Sequence, residues 1–568
     1  MQFRKYLFLS GFALSSAFTY AQTTYLPLGD KQEILLDRLE IKAQKDSVFN
    51  FSKTKPYSRE AYVEEVRRML DNTDSALDNV TNEDVYYMES LVKNNIAWLP
   101  ENMRDDYYMS KKRIGNTFYQ YPAGLFETHS KDFDLVINPM LNIGMMKEDN
   151  NGQKLFYNSR GISVRGRIAK RVGFNASITD NQERYPEYVQ EWTNKWQAIP
   201  GQGYYKAFKA PGGVDYFDGR GYISFGVSKY IDVAFGYDKN FIGNGQRSLF
   251  LSDFSNNMLF LKLNTRIWKF NYQNLFMELT NNYDHFGPDK LLDRKYAAIH
   301  HLDINIGKSM NIGLFEGVIF GRKNHFDFGY MVPVIFYRSV ERNNGSPDNA
   351  LVGMDFKANI ARTAQVYGQL ILDEFKLSEL TSNKRWWANK FGYQVGAKYI
   401  DAFKIKNLDL QLELNHVRPF TYSHSDSVSN YTHYNQPLAH PLGANFNEWI
   451  GVLRYRPIPK LLVEGRAMYY MQGKDSTSTV NFGSNIFLPY DLYRNGEYGF
   501  DVGSGWKTRT SMLSLLISYE IKENLFLEAN GFIRNQKAVT SPALTGKSKS
   551  TVFGLGLRWN MSRRDLFF

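Results

Sequence analysis

The plainest pattern in the chain lies between Phe391 and Asn415, where two runs of strict alternation flank one short turn. In the second run Leu408, Leu410, Leu412 and Leu414 share one parity, and Asp409, Gln411, Glu413 and Asn415 the other. In the first run Phe391, Tyr393, Val395 and Ala397 alternate with Gly392, Gln394, Gly396 and Lys398. Side chains of a strand point to opposite faces in turn, so each run predicts a two-faced strand. Both outrun the usual length of about 5–6 residues in soluble sheets. A leucine ladder backed by a charged ladder suits a barrel with lipid outside and water inside. Ile162, Val164 and Gly166 oppose Ser163, Arg165 and Arg167 in the same way, as Met354, Phe356 and Ala358 oppose Asp355, Lys357 and Asn359.

Alternation starts at Asp132 and persists to the C-terminus. Tight turns are predicted near Arg171, Tyr230, Trp268, Ser309, Arg362, Lys404, Pro457 and Lys522, with longer connections between them. About eight short turns and nine loops give about eighteen strands, even in number as single-chain outer-membrane barrels usually are. The fold class is therefore mainly β: a transmembrane antiparallel β-barrel of about 18 strands, short turns facing the periplasm and long loops outside. Glu464, Arg466, Glu528 and Arg534 fall on lumen parity, so the lumen is expected to hold both charge signs. The chain ends in Phe567 and Phe568, an aromatic terminus of the kind barrel-assembly machinery recognises.

The N-terminal part has a different period. Residues 1–21 combine a basic start (Arg4, Lys5), an apolar run and small residues before Ala21, the pattern of a signal peptide. Residues 22–129 read as a periplasmic helical region and connector, and 130–568 as the outer-membrane barrel. Two amphipathic segments, Arg59 to Leu70 and Glu83 to Asn95, follow capping residues Ser58 and Thr81, the latter with Asp84 three positions on. Two helices of this length bury little alone, so they are expected to pack on the barrel's mouth or lumen.

Composition narrows the class further. Mean hydropathy is −0.44, yet the chain carries 41 Phe, 38 Tyr and 9 Trp. Barrels hide their apolar residues at every second position and use aromatics as interface girdles, whereas a spanning helix needs about 18 consecutive apolar residues. The count of cysteines is zero, which removes disulfides, thiolate metal sites, cysteine nucleophiles and a lipoprotein anchor. A net charge of +11 favours acidic partners such as lipopolysaccharide phosphates or acidic polysaccharide; nucleic acid does not fit this compartment.

Two long segments gather the chemistry. Residues 184–214 hold Tyr185, Tyr188, Trp192, Trp196, Tyr204 and Tyr205 among carboxylates and carboxamides, and 419–447 hold Tyr422, His424, Tyr431, His433, Tyr434 and His440. Flat aromatic faces for sugar rings, with polar groups for hydroxyls, are what a glycan site needs. Packing the loops closed, or forming an interfacial belt, is the competing role of each such residue. The candidate polysaccharide-binding residues are Trp192, Trp196, Tyr204, Tyr205, Arg247, His424, Tyr431, His433, Tyr434 and His440.

Signals for catalysis are weak. Gly307-Lys308-Ser309 ends like a phosphate loop, but Leu302 stands where the motif needs glycine. His300 and His301 are adjacent on a strand, so they face opposite sides and cannot share a metal. No catalytic set, metal site or cofactor is expected.

The segments Phe241 to Asp253, Tyr330 to Tyr337 with Asp348-Asn349, and Tyr431 to Asn445 resemble the Wzi-type capsule assembly family, in the form of its RemB-like gliding-motility branch. The opening Tyr25-Leu-Pro-Leu-Gly29, Leu36 to Ile41 and Pro56 to Arg59 resembles that family's N-terminal region, so the likeness spans nearly the whole mature chain. It implies an eighteen-stranded outer-membrane barrel with a periplasmic helical part, acting as a lectin for capsular or exopolysaccharide. Two other classes remain open: a component of gliding or secretion machinery, and a diffusion channel. Mixed lumen charges and a helical plug argue for a closed barrel over a channel.

Overall fold

The structure, a computed structural model, describes residues 24–568 except 72–78, 100–102, 105–107, 111–113, 116, 150, 210, 286–289, 335, 476, 478 and 540–547. The signal-peptide reading of 1–21 lies outside the described residues.

Eighteen antiparallel strands close into one barrel. In chain order they are β1 (Phe133–Glu148), β2 (Leu155–Ile168), β3 (Val172–Arg184), β4 (Gly213–Ser228), β5 (Ile231–Asp238) and β6 (Met258–Ile267). Then come β7 (Phe270–Thr280), β8 (Arg294–Ile306), β9 (Met310–Phe320), β10 (Asn349–Ile360), β11 (Ala364–Glu374) and β12 (Lys390–Tyr399). The last six are β13 (Leu408–Val417), β14 (Phe446–Ile458), β15 (Leu461–Lys474), β16 (Trp506–Lys522), β17 (Leu525–Ala538) and β18 (Ser548–Trp559). Every strand pairs with its sequence neighbours, and β18 closes on β1 through Val552↔Glu148 to Trp559↔Leu141. All eight predicted turns fall at the same end, leaving the nine longer connections at the other.

Parity sorts the wall as the alternation requires. In β13 Leu412 is 68% exposed while Gln411 and Glu413 are buried, and in β10 Met354 and Phe356 face out while Asp355 and Lys357 are buried. Gly396 faces inward, where a Cβ would stand 2.2 Å from the Tyr367 ring. The bare backbone thereby admits that ring, whose hydroxyl donates to Glu413 at 2.8 Å and accepts from Gln411 at 2.8 Å. Leu412→Arg should block insertion into vesicles, because a lipid-facing arginine near the midplane costs about 2–4 kcal/mol. Gln411→Arg should insert but unfold at lower temperature, its site being already packed. Equal insertion yields for the two variants would contradict the assigned faces.

The lumen is filled from both ends. Three helices, α1 (Lys31–Ala43), α2 (Arg59–Asp71) and α3 (Asn82–Lys93), form a bundle with its own core of Leu35, Leu39, Val63, Val66, Met88 and Leu91. The Thr81 and Asp84 capping box is present. This bundle sits against the short-turn end, where Arg38 meets Asp84, Asp401 and Asp409, and Lys31 meets Glu520 and Glu523 at 2.5 and 2.7 Å. Farther in, Lys357 pairs with Glu40 at 2.5 Å, and Thr54–Lys55 forms a two-residue ladder with Phe241–Ile242 of loop 239–257.

Two features differ from the sequence expectation. Toward the long-loop end the inward face of β7 to β9 is apolar, with Leu275, Met277, Ile299, Phe315 and Ile319 packed against Leu249, Phe250, Tyr422 and Tyr431. Loops 239–257 and 418–445 fold into the barrel there, so that sector is a protein core and not a wet charged lumen. The C-terminal residues are also elsewhere than expected: the last strand stops at Trp559, and both terminal phenylalanines lie inside the barrel, each 6% exposed. Arg564 pairs with Glu183 at 2.6 Å, and Asp565 with Arg466 at 2.5 Å. The Phe568 ring packs with Tyr188, Trp192 and Phe254 at centroid distances of 5.7, 5.9 and 5.7 Å.

Candidate functional site

The long-loop mouth is built on loops 185–212, 281–293, 418–445 and 475–505. Loop 185–212 opens with helix α4 (Glu187–Trp196). Loop 418–445 carries a small hairpin, Thr432–His433 against Gln436–Pro437, whose tip residues Tyr434 and Asn435 have φ of 49° and 54°. Two left-handed residues in a row make the tight turn that suits a two-residue hairpin, and they hold Tyr434 at the tip.

The buried members of the candidate set hold this loop in place. Tyr431 donates from its hydroxyl to the Phe250 carbonyl at 2.6 Å and stacks on Tyr422 at 5.6 Å. The Nδ1 of His433 accepts from the Thr280 amide at 2.9 Å, and its Nε2 faces the Asn257 carbonyl at 3.0 Å. Burial pushes this imidazole down to about 3, which keeps it neutral and fits one accepting and one donating nitrogen. His440 bonds Glu448 through Nε2 at 2.6 Å. All three are buried, so in this arrangement they offer no face to a ligand and act as anchors.

Other candidates separate into three places. Trp192 points down onto Phe254 and Phe568, clamping the C-terminal tail. Arg247 lies in the lumen, donating to the Phe567 carbonyl and standing 3.5 Å from Glu448. His424 packs beside Tyr490 at 5.9 Å, apart from the rest. Tyr204, Tyr205 and Tyr434 do come together, joined by two residues that the sequence reading missed, Tyr283 and His285, and Trp196 is tied to this group through its backbone carbonyl.

In that cluster His285 stacks on Tyr205 at 4.3 Å and meets Tyr204 at 4.7 Å, while Tyr283 stands edge-on to Tyr434 at 5.9 Å. Trp196 lies against Phe487 at 4.7 Å, with the Lys195 ammonium 4.5 Å from its ring centre. Asn435 ties the pieces, donating to the carbonyls of Trp196 and Tyr283 at 3.0 and 2.9 Å. Gln436 accepts from Gly201 at 2.8 Å, fixing loop 185–212 to the hairpin. Tyr204 is 45% exposed and Trp196, Tyr283, His285 and Tyr434 are half-buried. Burial lowers the His285 pKa, so the imidazole stacked on Tyr205 is neutral at neutral pH. The arrangement is a set of half-buried ring faces held by buried carboxamides, able to stack on flat apolar surfaces. Tyr283 and His285 come from loop 281–293, which is poorer in aromatic residues than the two segments singled out in the sequence.

Beneath the loops lies a cavity of about 610 Å³ along one side of the lumen. Asn138, Ser163, Asn175, Thr179 and Asn181 of β1 to β3 line it opposite Arg454, Glu464 and Arg466, with Arg563 to Asp565 of the tail between them. One cluster elsewhere has the composition of a metal site: His301, Asp303 and Asp355 offer ligand atoms within 4.8 Å of one another. The Lys53 ammonium stands there, 3.4 Å from Asp303 and in contact with Asp355, and supplies the cation these carboxylates require. His300 faces the opposite side of the wall, as adjacency demands.

The family model for the capsule assembly protein Wzi matches residues 150–546. The chain belongs to the Wzi capsule-assembly family. A solved structure described as Wzi, an outer-membrane protein involved in group 1 capsule assembly in Escherichia coli and a carbohydrate-binding β-barrel, aligns with a TM-score of 0.57 at 12% identity. That alignment covers 96% of this chain and 100% of the other, so the two share one fold from the helical region to the last strand. OprD of Pseudomonas aeruginosa and OccAB2 of Acinetobacter baumannii align over 75% of this chain at TM-scores of 0.40 and 0.42. Their identities are 11% and 10%, and 94% and 98% of their own lengths are covered. No curated protein sequence matches the chain. With its apolar outer band, this Wzi-family barrel resides in the outer membrane.

Proposed function

We propose that this protein binds surface polysaccharide through its long-loop mouth and helps assemble or retain capsule or exopolysaccharide at the cell surface, without chemical turnover. The observation that carries this reading is an aromatic platform, Trp196, Tyr204, Tyr283 and Tyr434, seated around buried Tyr205 and standing over a largely filled lumen. Loops cross-tied by Asn435 and Gln436 are preorganised for binding, which lowers the ordering cost of holding a flexible chain. On this reading the long loops are extracellular, α1 to α3 are periplasmic, and lipopolysaccharide surrounds the wall. The structural relative's description as a carbohydrate-binding barrel supports the same conclusion.

The test is the partition of polysaccharide between cells and medium in a strain carrying Trp196→Ala, Tyr204→Ala, Tyr283→Ala and Tyr434→Ala together. Each aromatic contact is worth about 0.5–1.5 kcal/mol beyond its burial, so single changes should weaken retention several-fold and the set should release most of the polymer. Unchanged retention with correctly inserted protein would refute the site.

Within the family we assign the chain to the RemB-like gliding branch, on the segments 241–253 and 431–445. A deletion strain should then glide poorly as well as shed polysaccharide. A gliding defect with normal retention would move the function to motility or secretion machinery.

A further inference from the structure

One row of cross-strand partners on the outer wall carries polar side chains that are fully covered. From β6 to β11 it reads Leu263, Asn274, His300, Glu316, Val352 and Leu372. Glu316 lies four residues from the long-loop end of β9, about 10 Å down the wall for a strand of ordinary rise and tilt. Ionisable side chains at that depth are costly and need a partner. Here the three polar residues are covered, with exposures of 2%, 0% and 3% for Asn274, His300 and Glu316.

Their cover is loop 321–348, which folds down outside the barrel. The Phe336 and Arg338 amides donate to the two oxygens of Glu316 at 2.6 and 3.0 Å, and the Tyr337 hydroxyl meets His300 Nε2. Tyr330 and Tyr337 pack on outward residues Phe276, Ala298, Val318 and Phe320. At the top, Arg322 grips Asp348 with two bonds of 2.7 and 2.6 Å. Irregular backbone survives at membrane depth only where protein satisfies its amides, and Glu316 does that for this loop. Phe336 is held at φ 117°, a conformation a bulky residue adopts only when its surroundings impose it.

The loop's outer surface has two zones. Phe328, Val332, Val334 and Phe336 are exposed, the last by 71%, although they lie beside the lipid-facing wall. Next to them Arg338, which pairs with Glu341 at 3.0 Å, and Arg342 are also exposed. We propose that loop 321–348 is a membrane-embedded flap that binds anionic lipid of the outer leaflet, its apolar residues meeting acyl chains and Arg338 and Arg342 meeting headgroup phosphates. Guanidinium groups suit phosphate through paired bonds. The leaflet follows from taking the long loops as extracellular.

Because the chain has no cysteine, Val334→Cys or Phe328→Cys gives a unique site for an environment-sensitive fluorophore in the full-length protein. In phosphatidylcholine vesicles containing lipid A, brominated acyl chains should quench either label at least twofold and aqueous iodide should not; adding Glu316→Ala should reverse that preference. Quenching by iodide alone, or a Val334→Cys disulfide between two copies with protection from both quenchers, would overturn the flap. Native mass spectrometry should find lipid A retained over phosphatidylethanolamine, with several-fold loss in Arg338→Ala/Arg342→Ala; equal retention would overturn the headgroup contact. Orientation is read separately with Asn343→Cys and an impermeant maleimide on intact cells, where absence of labelling would refute the extracellular assignment and with it the outer-leaflet placement.

Discussion

Arg38→Met is expected to loosen the helical region from the barrel and to cost about 3–5 kcal/mol, because it strands buried carboxylates without their cation. The guanidinium binds Asp84 at 2.7 Å, Asp401 at 3.0 Å and Asp409, and its side chain and that of Asp84 are each 1% exposed. Lys42 reaches Asp84 and Asp401 at 2.6 and 2.9 Å but lacks the fork that spans helix, turn and strand together. Arg38→Lys should therefore recover only part of the loss. The measurement is the temperature at which the protein loses its compact, fast-migrating form on electrophoresis. An unchanged transition in Arg38→Met would contradict the role assigned to this hub. The same hub gives a pH dependence. Burial pushes the Asp84 carboxyl up, but Arg38 and Lys42 outweigh it and hold it well below the usual carboxylate range. Its contribution to stability is thus complete above the unfolded value of about 3.9 and is lost as pH falls through the lower folded value. The Asp84 contribution to docking should be flat from neutral pH to mild acid and weaken only below that window.

Removing residues 562–568 should convert a barrel with little conductance into one that conducts. The tail fills the sector that the helical region leaves, between the wall of β1 to β4 and that of β15 to β18, beside the cavity of about 610 Å³. Its hold rests on Arg563 with Glu528 at 3.1 Å, Arg564 with Glu183, Asp565 with Arg466, and the aromatic nest around Phe568. Planar-bilayer recordings of the intact protein should show only small, brief openings, and the truncated protein a steady current. Phe568→Ala combined with Arg564→Ser should act in the same direction without shortening the chain. A large steady current in the intact protein would contradict the closed lumen and revive the channel reading.

Much of the barrel was legible because parity is a local signal: Leu412 and Gln411 reveal their faces from two adjacent letters. The turns were equally legible, since each breaks a run of alternation. Helix α1 was not, because it buries Arg38, Glu40 and Lys42 along with Leu35, Leu36 and Leu39, and a helix buried on several sides by charge pairing shows no apolar stripe. The inward path of the tail was hidden for a related reason. Arg564 and Asp565 look like a solvated end until Glu183 and Arg466 are found facing them from 381 and 99 residues away. At the candidate site, aromatic clustering located the loops but not the roles, since composition does not distinguish Tyr431, anchored on the Phe250 carbonyl, from Tyr434 at an open hairpin tip.

The central claim is that the aromatic mouth binds polysaccharide, and its most direct test is calorimetric titration of the purified protein in lipid nanodiscs with polysaccharide from its own cell surface. The intact protein should bind, the Trp196, Tyr204, Tyr283 and Tyr434 alanine variant should bind at least tenfold more weakly, and Leu412→Ala on the lipid face should match the intact protein. Equal affinity in the intact protein and the four-residue variant, or no binding by the intact protein, would contradict the account.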